Sequence, residues 1–275
     1  MDPELWPYAH RIVITMTHDP SDPPRLNVEG LVIRYGSFCA VDHVGFTVYA
    51  GETLGLLGPN GAGKTSILSA IEGLIRPESG FIHVAGFDIA KNLREARSNL
   101  GVQLQKSSFQ AELTVREIVV LYAGLYGVAN DRAAIDGILA RYDLTAVARN
   151  KTGKISGGQQ QSLSLAVATL HQPPLVLLDE PTTGLDPQSR RKLWDRVGRM
   201  RADGCGIVLT THSMEEAHAT CDRIAIVDHG KIIALETPQA LIERYKDDAG
   251  MLALSRTGSV TLEDVFIGLT SAGES

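Results

Sequence analysis

The residues with the plainest chemistry in this sequence form one unbroken run, Gly58-Pro59-Asn60-Gly61-Ala62-Gly63-Lys64-Thr65. They satisfy the spacing G-x-x-x-x-G-K-[ST] of a loop that cradles phosphate. The glycines let the backbone wrap so that successive N–H groups point inward at one anion. The N-terminus of the following helix adds partial positive charge. In that arrangement Lys64 reaches the β- and γ-phosphates of a nucleotide and the Thr65 hydroxyl ligates Mg²⁺, with Ser66 beside it in the first helical turn.

Two further groups of residues have chemistry to offer. Leu175-Val176-Leu177-Leu178-Asp179-Glu180 is an apolar run that ends in two acids. A strand of that composition is buried on both faces. Two acids at its tip have an ordinary reading as a solvated strand end. Beside a phosphate loop, Asp179 would instead hold Mg²⁺ through water, and Glu180 would orient or deprotonate an attacking water. Ile155-Ser156-Gly157-Gly158-Gln159 enters the apolar run Leu163 to Leu170. Ser-Gly-Gly at a helix start exposes N–H groups to a second anion, although taken alone it reads equally well as a plain N-cap followed by glycines.

These groups need a scaffold that brings them together. Thr53 to Leu57 reads as a buried strand and Ser66 to Ile71 as the first turns of a helix, which is the context the phosphate loop requires. Other strand-like runs are Leu31 to Ile33, Phe46 to Val48, Phe81 to Val84, Leu175 to Leu178, Ile207 to Leu209 and Ile224 to Val227. Helical patterns between many of them predict an α/β core. From about 106 to 155 strand signals stop; Val115 to Tyr126 and Arg132 to Tyr142 read as helices, so a helical insert is expected there. Pro238 should open another helix. Thr261 and Asp264 have capping-box spacing ahead of a last helix near Leu262 to Leu269.

Composition narrows the function classes. Hydrophobic residues at 44% and charged residues at 21% are ordinary globular values. A formal net charge of -6 argues against a general nucleic-acid binder, and no nucleic acid is expected as partner. Cys39, Cys205 and Cys221 lack metal-ligand spacing and suit a reducing cytosol. No apolar run approaches the roughly 18 residues of a membrane span, and the acidic start is unlike a signal peptide. A role at a membrane would therefore need spans supplied by another chain. The stretch Asp19-Pro20-Ser21-Asp22-Pro23-Pro24 reads as part of an extended tail.

The order and spacing of these features resemble the ABC-type ATPases. Ser156-Gly157-Gly158-Gln159 is similar to their signature sequence. Gln105 resembles their glutamine switch, which implies a catalytic role and a place among the Mg²⁺ ligands. Thr183-Gly184-Leu185-Asp186 resembles the D-loop, His212 the switch histidine that contacts the γ-phosphate, and Tyr35 the aromatic platform for adenine. Leu262-Glu263-Asp264-Val265-Phe266 resembles the tail of drug-resistance-type exporter ATPases. The resemblance implies a P-loop NTPase core of ABC type with a helical insert and an antiparallel β part. The expected divisions are a tail at 1–26, the ATPase domain at 27–237 and a helical extension at 238–275. It further implies an ATP-hydrolysing subunit of a transporter, with an exporter expected. That subunit would sit on the inner face of the cell membrane beside a separate permease and pair head to tail with a second copy or a homologue. Two departures stand out: Ile155 replaces the usual leucine, and Ser162 the usual arginine. The other class consistent with these motifs is a non-transport ABC-type ATPase acting on a ribosome or nucleic-acid complex; the single cassette and short insert weigh against it.

Overall fold

The computed structural model describes residues 23–103, 109–255 and 258–271. Most of the expected tail, Gln105 and the first residues of the expected insert lie outside them. In chain order the elements are β1 (Leu26–Tyr35), β2 (Phe38–Val48), β3 (Thr53–Leu57), α1 (Lys64–Ile71), β4 (Ser79–Val84), β5 (Phe87–Asp88), α2 (Leu93–Ser98) and β6 (Leu100–Gln103). There follow α3 (Val115–Leu125), α4 (Arg132–Arg141), α5 (Gly157–Thr169), β7 (Leu175–Asp179), α6 (Pro187–Ala202), β8 (Gly206–Thr210), α7 (Met214–Thr220), β9 (Arg223–Asp228), β10 (Lys231–Glu236), α8 (Pro238–Tyr245), α9 (Ala249–Leu254) and α10 (Leu262–Ser271).

Two sheets organise the chain. A six-stranded sheet has the order β10-β9-β3-β8-β7-β6, and a four-stranded sheet the order β2-β1-β4-β5. The first is parallel except at the β9–β10 edge, and the second is antiparallel throughout. The large sheet is the middle layer. Along β7, Leu175 and Leu177 pack into one core with β1, β2 and α1, while Val176 and Leu178 pack into the other with α3, α5 and α6. Burial on both faces explains why β3, β7 and β8 read as unbroken apolar runs.

Local sequence accounts for the element boundaries. Thr114 and Glu117 form a reciprocal capping box at the start of α3, and Asp131 accepts from the N–H groups of Ala133 and Ala134 to start α4. Pro238 opens α8, and Thr261 and Asp264 exchange the two hydrogen bonds expected from their spacing. Between α3 and α5 the only pairing among the described residues is an isolated bridge, Thr114 with Lys151. The small sheet is larger than its sequence pattern suggests: β1 extends from Leu26 rather than Leu31 and β2 from Phe38 rather than Phe46. Irregular register along β1 interrupts the period-2 alternation that would have marked the full strand.

The three cysteines behave as packing residues. Burial pushes the thiols of Cys205 and Cys221 up to about 12, and neither approaches a disulfide partner. Native protein treated with iodoacetamide at pH 8 should therefore incorporate at most one label, on the half-buried Cys39, and three after denaturation. Mass spectrometry that finds Cys205 or Cys221 alkylated in the native state would contradict this packing.

Candidate active site

The phosphate loop joins β3, every residue of which is buried, to α1. Two of its glycines are required by geometry. A Cβ on Gly58 would lie 2.2 Å from the Val227 carbonyl oxygen of the neighbouring strand. Gly63 has φ 108, and a Cβ there would meet the Ala40 carbonyl oxygen at 2.4 Å. Lys64 folds back over the loop, its Nζ donating to the carbonyl oxygens of Gly58 at 2.6 Å and Pro59 at 2.9 Å. Burial lowers the pKa of this ammonium below the usual lysine value, while the nearby carboxylates of Glu180 and Asp179 act in the opposite direction.

The paired acids arrive on β7, and β8 laces them in place. Thr210 Oγ1 donates to Asp179 Oδ1 at 2.5 Å, and the Glu180 N–H donates to the Thr210 carbonyl oxygen at 3.1 Å. Glu180 adopts φ 46, a left-handed conformation that is strained for a residue with a side chain. His212, two residues beyond the end of β8, lies with Nε2 2.5 Å from Glu180 Oε1. Thr183 Oγ1 donates to the other oxygen of Glu180 at 3.2 Å.

These groups surround a cavity of about 540 Å³ lined by Tyr35, Phe38, Ala40, Asn60, Gly61, Gly63, Lys64, Thr65, Ser66, Asp179, Glu180 and His212. Residues separated by more than a hundred positions thus meet in one place. Gly58, Pro59 and Ala62 shape the loop without lining the cavity. Phe38 was missed by sequence reasoning. It pairs with Tyr35 across the turn between β1 and β2, and both rings are exposed at the cavity mouth. An aromatic two residues beyond a Tyr-Gly turn was the available signal. Tyr35 also contacts the cradle, with its hydroxyl 3.3 Å from Ser66 Oγ.

Ser156, Gly157, Gly158, Gln159 and Asp186 do not line this cavity. Ser156 and Gln159 form a capping box that starts α5, with Ser156 and Gly157 at the surface; a Cβ on Gly157 would have nothing within 4 Å. Asp186 caps α6, accepting from the N–H groups of Gln188 and Ser189 and from Ser189 Oγ, and the Ser189 hydrogen bonds hold its carboxyl below the usual aspartate range. Within one chain it is a capping residue rather than a nucleotide contact. At the position of the missing arginine, Ser162 Oγ accepts a 2.8 Å hydrogen bond from the buried Arg196 of α6. Arg196 also donates to the Tyr142 carbonyl oxygen and to Asp143, both at 2.9 Å.

The family model described as "ABC transporter" matches residues 41–183, slightly more than half the chain. The chain belongs to the ABC transporter family. Like the ATP-binding subunits of such transporters, this ABC protein binds and hydrolyses ATP. Among its relatives, the Nod factor export ATP-binding protein I of Burkholderia orbicola (strain AU 1054) is 41% identical over 212 residues, covering 76% of this chain and 70% of that one. Its namesake in Mesorhizobium japonicum is 38% identical over 229 residues, 82% of this chain and 67% of that one. The probable multidrug ABC transporter ATP-binding protein YbhF of Escherichia coli is 37% identical over 246 residues, covering 89% of this chain but 41% of YbhF. A solved structure of an ATP binding subunit of an ABC transporter superposes with a TM-score of 0.78 at 28% identity, covering 89% of this chain and 98% of that one. A nucleotide-free ABC cassette with a TM-score of 0.73 and 22% identity shares the fold.

Proposed function

We propose that this ABC ATPase drives an exporter, and that two such cassettes close head to tail around ATP. The observation that carries the reading is the division of anion-binding groups. One cavity gathers Lys64, Thr65, Asp179, Glu180 and His212, while the Ser156-Gly157-Gly158 turn presents its helix N-terminus elsewhere. A cradle that already holds one triphosphate leaves that second turn for the nucleotide of a partner. Thr65 and Asp179 offer hard oxygen ligands at the cavity, which fits Mg²⁺ held by few protein groups plus phosphates and water. Among the described residues no cluster of three or more His, Cys, Asp or Glu forms a self-sufficient metal cage, consistent with that sharing. Mg²⁺ held there would supply neutralisation of phosphate charge. Lys64 then holds the terminal phosphates, Glu180 takes the proton of the attacking water, and His212 fixes Glu180 and the γ-phosphate. The assignment of Gln105 as the glutamine switch rests on its position in the sequence.

No helix among the described residues is long and apolar enough to cross a membrane. We assign the spans to a separate permease. The surface of α3 offers a docking face: Val120, Leu121, Leu125 and the adjoining Tyr126 are exposed, and Leu125 keeps 71% of its accessible area. Export is inferred from the names of the relatives, and we infer a position on the cytoplasmic face of that permease.

Gly157→Asp tests the composite site. The substitution has room in the isolated chain, so ATP binding to a monomer should stay within about twofold while a carboxylate faces the partner's γ-phosphate and blocks closure by charge repulsion. ATP-dependent dimerisation, read by size-exclusion chromatography, and ATPase should both collapse. Mixing Gly157→Asp with Lys64→Ala chains should restore ATP occlusion, because both lesions fall in the same composite site of the mixed dimer and leave the other site whole. Dimerisation of Gly157→Asp alone at the wild-type ATP concentration would overturn the arrangement.

A further inference from the structure

Glu216 is an acid that the hydrolytic scheme does not use, yet it is buried at 7% exposure in the first turn of α7. An acid in a first turn favours the helix dipole from solvent, and its neighbour Glu215 already does so. Burying a second carboxylate costs desolvation that partners must offset. Its partners are two buried hydroxyls. Thr182 Oγ1 donates to Glu216 Oε2 at 2.9 Å and Thr211 Oγ1 donates to the same oxygen at 2.7 Å. The other oxygen, Oε1, has no hydrogen-bond partner among the described residues. Apolar side chains of similar size in place of the acid and both hydroxyls would avoid this cost, so stability alone does not account for the polar cluster.

The two donors explain its use. Thr182 lies two residues after Glu180, and Thr211 immediately precedes His212. Consecutive threonines at the end of β8 therefore divide their work: Thr210 ties back to Asp179 and Thr211 ties forward to Glu216. We propose that Glu216 is a positioning residue for ATP hydrolysis, its carboxylate joining the segment that carries Glu180 to the segment that carries His212 and so setting the contact between them. Without the shared acceptor, each segment is released from the other just behind a reacting group, and displacements of about 1 Å cost on the order of 10²-fold in rate.

The test is steady-state ATP hydrolysis by the full chain, with thermal melting as control. Glu216→Leu, which removes the shared acceptor, should lower kcat about tenfold or more while KM for ATP stays within about twofold, whereas Glu216→Gln, whose amide oxygen can still accept from both hydroxyls, should keep most of the activity. Thr182→Val and Thr211→Val, which are close in shape to threonine, should each lower kcat in the same KM-independent way, and combining either with Glu216→Leu should add little. If Glu216→Leu melts early, the valine variants decide. Wild-type kcat in all folded variants would overturn the proposal, as would a fall in kcat matched by a proportional rise in KM. The proposal rests on the roles given to Glu180 and His212. Wild-type turnover in Glu180→Gln would remove those roles, whereas an inert Glu180→Gln beside unaffected Glu216→Leu, Thr182→Val and Thr211→Val would remove the positioning role alone.

Discussion

Lys64→Ala should fold normally, bind ATP one to two orders of magnitude more weakly and lose essentially all turnover. The Nζ group is the cation placed at the cradle, and the loop engages it through two backbone carbonyls. Hydrogen bonds to charged groups contribute about 1.5–3 kcal/mol, which sets the loss of affinity. Removing a preorganised donor from developing charge costs a further 10²–10³-fold or so in rate. Titration with a fluorescent ATP analogue and a phosphate-release assay measure the two effects separately. An unchanged affinity together with unchanged turnover would remove Lys64 from the phosphate site. A normal melting curve is expected, because the side chain is half exposed and lies outside both apolar cores.

Glu180→Gln should separate binding from chemistry. The amide keeps the shape of the side chain and can still meet His212, but it cannot accept the proton of water. A positioned base contributes roughly 10²–10⁴-fold, so hydrolysis should fall by that factor while ATP affinity is retained. Closure driven by ATP would then outlast its hydrolysis, and a nucleotide-loaded dimer should persist through gel filtration. Hydrolysis near the wild-type rate would mean that Glu180 is not the base. A monomer under saturating ATP would instead count against closure around the nucleotide.

The cradle was legible in the sequence because it is contiguous: eight consecutive residues carry its turn, its cation and its hydroxyl. Asp179 and Glu180 were legible because a doubly buried strand leaves an apolar run before them. His212 came from the family resemblance, as a histidine after another such strand that looks like the switch histidine. The small sheet was harder to read. Its strands are irregular in register, and β5 has only two residues, so neither periodicity nor length marks it. Phe38 was missed because its relation to Tyr35 is a cross-strand pairing. Glu216 was missed for a related reason. One threonine partner is five residues away and the other thirty-four, so only the packed fold makes them a unit. The turn at Ser156 to Gly158 shows the opposite limit: its sequence is distinctive, but one chain offers it no occupant.

The bond between Ser162 and Arg196 bears on how this protein can be recombined with its relatives. Arg196 of α6 reaches Ser162 of α5 and also fastens the end of α4. A graft that brought an arginine to the position of Ser162 would crowd two cations into one dry contact, and one that replaced Arg196 would leave the serine and the Asp143 carboxylate without this donor. Working chimeras should therefore have their crossover points outside the span from α4 to α6, so that its three helices are exchanged together.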